Sequence, residues 1–251
     1  MNRILFETDE IANGIATFGG ERAAHVMNVL HGEVGQVLKT GEVNGPIGTS
    51  VITAVSGLPS SVSGPEITVT CSHTGQSLQP WIDLILAPPR PRVMKRLSPQ
   101  LAAMGVGKIF LVGAKKVEKD FWGATLLKPE NYRPLLIDGL MQAGTSILPT
   151  LETRRNFRKF LNEEVDGLWP NAKRIVAHPY GGGDGEDFRR KTEDLRGLLL
   201  AVGPEGGWTD DEVALLEERG FARYSLGSRI LRTDTATIAL LAQLMKELDQ
   251  C

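Results

Sequence analysis

Two glycine-containing stretches carry residue types that could bind a ligand or do chemistry. The first, GPEGG at residues 203–207, follows the apolar run LLLAV and precedes WTDDE. A glycine turn between a strand and a helix offers free backbone N–H groups, which often bind phosphate. Here Glu205 lies inside the turn and the acidic run Asp210–Glu212 follows it, so a polyanion would be repelled. The spacing also fits neither the dinucleotide fingerprint nor the P-loop, so a neutral or cationic ligand is predicted.

The second stretch, LGSRILRTDTA at residues 226–236, leads into a helical pattern. Thr233 is a candidate N-cap for this helix, and Asp234 suits its first turn. Arg232 would then lie at the start of the helix, with its guanidinium free to point into a pocket. Each feature alone has an ordinary structural explanation, but the two stretches together form a far more specific pattern.

The elements that position these stretches follow from the pattern after residue 80. Near-continuous apolar runs, typical of strands buried on both faces, alternate there with helical patterns. The strand-like runs are WIDLILAP, KIFLVG, RIVAH, GLLLAVG and the short ARYS, and helices are predicted at about 93–104, 131–142, 157–164, 208–219 and 233–248. This alternation predicts an α/β domain with a parallel sheet over residues 80–251. Ligands bind beyond the carboxyl ends of such strands, so AHPYGGGDG, GPEGG and LGSRILRTDTA are predicted to form the pocket.

Residues 1–72 have a different pattern. Short alternating segments, RILFE, GQVLKT, GTSVITAVSG and EITVTC, are separated by glycine-containing turns, with one helical piece in GERAAHVMNVLHG. A small β-rich domain is therefore predicted. The polar stretch SHTGQSLQP, Ser72–Pro80, is predicted to link it to the α/β domain.

Composition narrows the class of protein. The 251 residues are 41% hydrophobic and 23% charged, with a net charge of -2, as in a globular protein without a global basic excess for nucleic acid. The absence of a signal pattern and of long apolar runs predicts a cytoplasmic protein that does not bind membranes. Cys71 and Cys251 are predicted to be free thiols, and the scattered histidines predict no metal site.

Positive charge is nevertheless concentrated in two local runs. APPRPRVMKR and AKKVEK each follow a predicted strand, on the same side of the sheet as the glycine loops. Basic side chains at such a place favour contact with a phosphate backbone, although a charge run is often only a solvated surface. The predicted RNA-binding residues are Arg90, Arg92, Lys95, Lys115 and Lys116.

Three motifs together resemble the RsmE family of 16S rRNA uracil-N3 methyltransferases in the SPOUT superfamily. They are His178-Pro179, GPEGG with the following Asp210–Glu212, and LGSRILRTDTA. The resemblance implies a SPOUT-type α/β domain with a trefoil-knotted parallel sheet, a small PUA-like RNA-binding domain at the N-terminus, and a homodimer. It also implies 16S ribosomal RNA or the small ribosomal subunit as the partner.

The resemblance implies S-adenosylmethionine as the cofactor, bound in the knot. This molecule carries a sulfonium and an ammonium and has no phosphate, so an acidic glycine loop does not oppose its binding. The predicted cofactor-binding residues are His178, Val202, Gly203, Pro204, Glu205, Gly206, Gly207, Leu226, Gly227, Ile230, Leu231, Arg232, Thr233, Thr235 and Ala236.

The implied reaction is direct methyl transfer to uracil N3 without a metal. N3 holds a proton at neutral pH, so a base or a stabiliser of the uracil anion is required. Arg232 is predicted to stabilise the anion as a permanent cation. Glu205 is the candidate base, with the alternative that its carboxylate holds the loop or an arginine.

Departures from the family pattern affect the part that recognises RNA. Met104–Val106, Ala114–Lys116 and Met141–Ala143 replace the residues usual in the family, and Asn28 and His31 stand where its small domain carries arginines. Three alternatives therefore stay open. They are methylation of another RNA nucleotide, a non-catalytic RNA-binding protein with this fold, and an α/β enzyme that uses NAD or ATP.

The last predicted helix also suggests a dimer. Ile238, Leu241, Met245 and Leu248 form one apolar stripe at helical spacing, and a second stripe lies beside it at Ala236, Leu240 and Leu244. A surface helix needs only one stripe to pack on its own sheet. The extra stripe is predicted to contact a partner subunit, so that Leu241→Glu would abolish dimerisation and activity together, unless the helix is buried wholly within one chain.

Overall fold

The computed structural model describes residues 2–57, 64–180 and 197–248. The chain divides into two compact units, the smaller comprising Met1–Gln79 and Ile137–Leu148, and the larger comprising Pro80–Leu136 and Pro149–Cys251. The segment 137–148 thus belongs to the unit that contains the N-terminus, a grouping that the order of the sequence patterns did not indicate. Most of the predicted loop AHPYGGGDG, from residue 181 onwards, and Cys251 lie outside the described residues.

The smaller unit is built on a six-stranded sheet in the order β1-β4-β5-β6-β3-β2. The parallel pairing of β1 with β4 is followed by antiparallel pairings across the rest of the sheet. Its elements are β1 Ile4–Phe6, β2 Ile11–Ala12, β3 Ile15–Phe18, α1 Gly20–Asn28, β4 Val37–Glu42, β5 Ile47–Ser56 and β6 Glu66–Gly75.

Two features of this sheet differ from the sequence prediction. Asn13 and Gly14 both have positive φ, 52° and 76°, and join β2 to β3 in a tight hairpin that was not predicted. Strand β6 continues to Gly75, so the first part of the predicted linker belongs to the sheet. His73 explains this extension, because its buried ring lies 2.8 Å from the Thr40 hydroxyl and 3.1 Å from a Glu42 carboxylate oxygen.

The larger unit contains a second six-stranded sheet in the order β12-β10-β11-β7-β8-β9, and all of these pairings are parallel. The predicted α/β fold with a parallel sheet is confirmed. Its strands are β7 Ile82–Leu86, β8 Val106–Val112, β9 Thr150–Arg154, β10 Lys173–Ala177, β11 Leu198–Val202 and β12 Ala222–Tyr224. Its helices are α2 Pro91–Ala103, α3 Pro129–Ala143, α4 Phe157–Glu163, α5 Val165–Leu168, α6 Asp210–Glu218 and α7 Thr233–Leu248. Helix α3 belongs to this unit only as far as Leu136, and its remaining residues belong to the smaller unit.

Burial follows the apolar runs of the sequence. Every residue of β11 is buried, as are the last three of β7 and the last four of β8. Strand β9, TLETR, lies at the edge of the sheet and was not predicted, because it is polar and mostly exposed. Within the core of this unit, Phe110 stacks on Phe160 with ring centroids 5.2 Å apart. This packing holds α4 against the sheet.

Two features are absent from the described residues. No helix among them is long and apolar enough to cross a bilayer. Within the same residues, no group of three or more His, Cys, Asp or Glu side chains is arranged to hold a metal ion.

Candidate functional site

A cavity of about 400 Å³ lies beyond the carboxyl ends of three neighbouring strands, β10, β11 and β12. The segments that leave these strands form its walls, together with the first residues of α7. The lining residues are Ala177, His178, Pro179, Tyr180, Val202, Gly203, Pro204, Glu205, Gly206, Gly207, Trp208, Asp210, Tyr224, Leu226, Gly227, Arg229, Ile230, Leu231, Thr233, Ala236 and Leu240. The described start of AHPYGGGDG, up to Tyr180, and the other two predicted loops therefore converge where the strand-end rule places a ligand.

Nearly all of the predicted cofactor-binding residues line this cavity. The two that do not are Arg232 and Thr235, which are exposed at the start of α7. Arg229, three residues before Arg232, lines the cavity instead. The sequence prediction named Arg232 for this place and did not include Arg229.

Other lining residues were missed by sequence reasoning. Trp208 directly follows the glycine loop, and Tyr224 ends β12, so their positions next to predicted elements were available as a signal. Tyr180 and Leu240 carry no such signal, because their contribution depends on how a loop and a helix turn toward the cavity. Trp208 also stacks on Phe157 of α4, with ring centroids 5.0 Å apart and an interplanar angle of 16°.

Hydrogen bonds tie the three walls to one another. The Thr233 hydroxyl donates to the Gly203 carbonyl at 3.3 Å, which joins the start of α7 to the glycine loop. The backbone N–H of His178 donates to the Tyr224 carbonyl at 3.1 Å, which joins the loops after β10 and β12. Thr233 is the first residue of α7. Its hydroxyl therefore forms a hydrogen bond between this helix and the glycine loop.

Two contacts hold the glycine loop from the other side. Lys116 Nζ donates to the Gly206 carbonyl at 2.7 Å, and a Glu205 carboxylate oxygen accepts from the backbone N–H of Arg90 at 3.1 Å. Glu205 therefore fastens the loop to the segment after β7. The sequence analysis gave holding the loop as an alternative role for the Glu205 carboxylate, and this hydrogen bond is of that kind.

The charges around the cavity are few. Glu205 and Asp210 are the acidic residues of the lining, Arg229 is its arginine and His178 its histidine. Asp210 is the first residue of α6, where a carboxylate is stabilised by the helix dipole. Thr209 and Glu212 form a capping box at the same helix end. Largely apolar walls with a few polar groups, and a volume in the lower part of the range for small-molecule sites, suit one small ligand with little negative charge.

The predicted RNA-binding residues differ in how firmly they are held. Arg90 Nε donates to Glu118 at 2.9 Å, and this hydrogen bond raises the pKa of the Arg90 guanidinium above its ordinary value. Lys116 is occupied by the glycine loop. Arg92, Lys95 and Lys115 have exposed side chains that form no ion pair with the described residues.

Comparison with known proteins gives a consistent result. A family model described as an RNA methyltransferase domain matches residues 76–245. The ribosomal RNA small subunit methyltransferase E of Treponema pallidum is 29% identical, over 96% of this chain and 90% of that protein. The protein of the same name from Synechocystis is 34% identical, over 48% of this chain and 41% of that protein.

Solved structures resemble the chain over almost its whole length. A putative methyltransferase from Legionella pneumophila, solved with its bound cofactor SAM, superposes with a TM-score of 0.76 at 23% identity, covering 98% of this chain and 97% of that one. The ribosomal RNA small subunit methyltransferase E of Neisseria gonorrhoeae, bound to S-adenosyl methionine, gives 0.73 at 20% identity, covering 98% and 97%. At these identities the likeness shows a shared fold.

The glycine loop yields a stability prediction that separates its last two residues. Gly207 has φ +69°, so Gly207→Ala should lower the free energy of unfolding by roughly 1 kcal/mol, although a Cβ there meets no atom within 4 Å. A Cβ at Gly206 would meet only the flexible Lys116 side chain, 2.9 Å away, so Gly206→Ala should cost less. Urea unfolding of both variants measures the difference, and equal losses would contradict it.

Proposed function

Since the chain belongs to the RNA methyltransferase family, we propose that it transfers a methyl group from S-adenosylmethionine to N3 of a uracil in 16S ribosomal RNA. The resemblance to the RsmE family is confirmed by the family model and the curated relatives named ribosomal RNA small subunit methyltransferase E. The observation that carries the proposal is the single cavity in which the three motifs of that resemblance meet. A protein that acts on ribosomal RNA works in the cytoplasm.

The cavity fits S-adenosylmethionine chemically. Its glycine loop presents backbone without side chains, and its acids, Glu205 and Asp210, oppose neither the sulfonium nor the ammonium of this molecule. Leu226, Ile230 and Leu231 supply apolar surface for the adenine ring. When bound, S-adenosylmethionine would supply an electrophilic methyl carbon on its sulfonium, to which a nitrogen nucleophile would bond while the carbon–sulfur bond breaks and S-adenosylhomocysteine leaves.

The chain's own residues contribute orientation and charge. Arg229, an exposed residue that lines the cavity, is suited to the cofactor carboxylate, whereas Arg232 is exposed at the start of α7 outside the lining and is accessible to RNA. Arg232 stabilises the negative charge that develops on the uracil oxygens when N3 loses its proton. Glu205 has one carboxylate oxygen occupied by the Arg90 N–H, which leaves the other to accept that proton.

The exposed cations Arg92, Lys95 and Lys115 contact the phosphate backbone beside the target. The smaller unit is the PUA-like RNA-binding domain expected at residues 1–72, and the larger unit, which leaves out 137–148, is the SPOUT domain expected at residues 80–251, with its chain tied in a trefoil knot. These statements rest on the resemblance of the glycine motifs to that family. Support for the RNA partner comes from the matched RNA methyltransferase domain.

The protein acts as a homodimer through the outer face of α7 and the loop before it. Thr235, Ile238, Ala242 and Met245 follow one another at helical spacing along this face, and all are exposed or half-buried. Ile230, 74% exposed, extends the same apolar surface from the cavity loop. Leu241, expected in the outer stripe, is fully buried in its own chain, as are Leu240 and Leu244. Met245 is 38% exposed, and the Leu248 side chain lies outside the described residues.

Calorimetric titration tests the cofactor. S-adenosylmethionine should bind one site per chain with a dissociation constant of roughly 1 µM to 1 mM, while NAD and ATP give no binding heat. When the protein is incubated with S-adenosylmethionine that carries a labelled methyl group and with small ribosomal subunits that lack this methylation, a uracil of the 16S rRNA should become labelled. Binding of NAD or ATP without binding of S-adenosylmethionine would instead indicate a nucleotide-dependent enzyme.

Arginine variants separate the two proposed roles at the cavity. Arg232→Ala should lower kcat about 100-fold with unchanged cofactor affinity, because its partner is the uracil in the transition state. Arg229→Ala should weaken S-adenosylmethionine binding by roughly tenfold, because it removes a charge-assisted hydrogen bond. Single-turnover kinetics and calorimetry measure both quantities. Equal decreases of kcat and cofactor affinity in Arg232→Ala would assign it to cofactor binding.

Substitutions on α7 test the dimer. Ile238→Glu with Met245→Glu should raise the dimer dissociation constant about tenfold or more and lower activity with it, because charges are placed in an apolar contact. Lys246→Glu, an exposed neighbour outside the apolar surface, is the control. Sedimentation velocity measures the change. A fully active monomer of the unaltered protein would refute the dimer; Leu241→Glu is unsuitable because it would disrupt the core.

A further inference from the structure

A second cavity of about 420 Å³ lies beyond the carboxyl ends of β8 and β9, in the same unit as the proposed methyl-transfer site. Its walls come from the segments that leave these two strands, the start of α4 and the start of α6. The lining residues are Gly113, Lys115, Arg155, Asn156, Phe157, Arg158, Asp211, Glu212 and Leu215. Three cations thus meet in one concave surface, and only Lys115 among them was predicted to bind RNA.

The two arginines of this cavity are presented differently. Arg155 Nη2 donates to the Trp122 carbonyl at 3.2 Å, and its guanidinium lies over the Trp122 ring, 5.6 Å from the centroid. This contact orients the group and leaves its other N–H donors available. Arg158 is exposed and forms no ion pair or hydrogen bond through its side chain with any described residue. Both are therefore able to bind an anion.

The two acids of the cavity do not neutralise these cations. Glu212 is occupied: its carboxylate accepts from the Lys115 N–H at 2.7 Å and from the Thr209 N–H at 2.8 Å. Asp211 lies in the first turn of α6, where the helix dipole offsets its charge. No described arginine or lysine side chain pairs with either acid, so the cationic groups stay free for a ligand.

The second cavity adjoins the first through shared elements. Phe157 lines the second cavity, and its ring stacks on Trp208, which lines the first. The consecutive lysines Lys115 and Lys116 divide between them, since Lys116 holds the glycine loop while Lys115 faces the second cavity. The two cavities are therefore neighbours, joined by one aromatic contact and one pair of consecutive lysines.

We propose that this second cavity binds a backbone phosphate of the RNA strand, next to the nucleotide that enters the methyl-transfer site. The proposal rests on the proposed function for its substrate class and adds Arg155 and Arg158 to the residues that contact RNA. An RNA phosphodiester carries one negative charge and two acceptor oxygens, which match a guanidinium fork. Asp211 lowers the affinity of the site without abolishing it.

The test compares Arg158 on α4 and Arg155 just before this helix with a neighbouring lysine of α4. Binding of a fluorescent single-stranded RNA of about 20 nucleotides is measured at salt concentrations from roughly 50 to 300 mM, with the double variant Arg155→Gln/Arg158→Gln. The slope of log affinity against log salt should fall by about 0.7 for each phosphate that the variant no longer neutralises, and affinity should fall roughly tenfold. Lys159→Gln, the control, removes an exposed cation that pairs with Glu163 outside the lining of the cavity. Its slope should equal that of the unaltered protein.

Two further measurements sharpen the outcome. Asp211→Asn should tighten RNA binding, and circular dichroism should show all variants folded. If the double variant and Lys159→Gln give the same slope, the proposal is overturned. Calorimetric binding of inorganic phosphate that is absent in the double variant, with an unchanged RNA slope, would assign the cavity to a free anion and also overturn it. The assay needs no turnover, so failure of methyl transfer in the unaltered protein would count against the proposed function alone.

Discussion

The parallel pairing of the fully buried strand β11 with β10 on one side and β7 on the other determines where chemistry can occur. All six strands of this sheet run in the same direction, so their carboxyl ends lie at one edge, and the segments that follow them must meet there. The buried LLLAV run cannot slip in register without leaving backbone groups unpaired in the core. The glycine loop therefore begins at a fixed place, and both cavities lie along the same edge.

Acidic residues at this edge have mostly structural partners. Glu205 accepts from the Arg90 N–H, and Glu212 caps α6 and accepts from the Lys115 N–H. Many of the cations have no such partner. Arg92, Arg158 and Arg232 are exposed and without ion pairs to the described residues. A chain with a net charge of -2 can thus present a locally positive surface. At this edge, carboxylates such as Glu205 and Glu212 are hydrogen-bonded within the protein, whereas these arginines form no ion pairs with the described residues.

The sequence predicted the alternation of the larger unit and most of the cavity, because apolar runs and glycine motifs are local signals. The prediction was wrong where the structure depends on which way a side chain faces, or on contacts with residues far away in the sequence. Strand β9 is a polar edge strand, and β6 extends through SHTG because His73 is buried against Thr40 and Glu42. Periodicity indicated two apolar stripes on α7 without saying which faces outward, so Leu241 was assigned to the wrong side. Spacing alone likewise did not reveal that Arg229, and not Arg232, lines the cavity.

The stack of Phe157 on Trp208 makes the two cavities thermodynamically linked whenever a ligand shifts either ring. Coupling between two binding equilibria is reciprocal, so the factor by which one ligand alters the affinity for the other is the same in both directions. A chain with this contact has no need of a separate hinge to make its two ligands cooperate. Loss of either ligand would follow the same rule, since it changes the affinity for the other by that same factor.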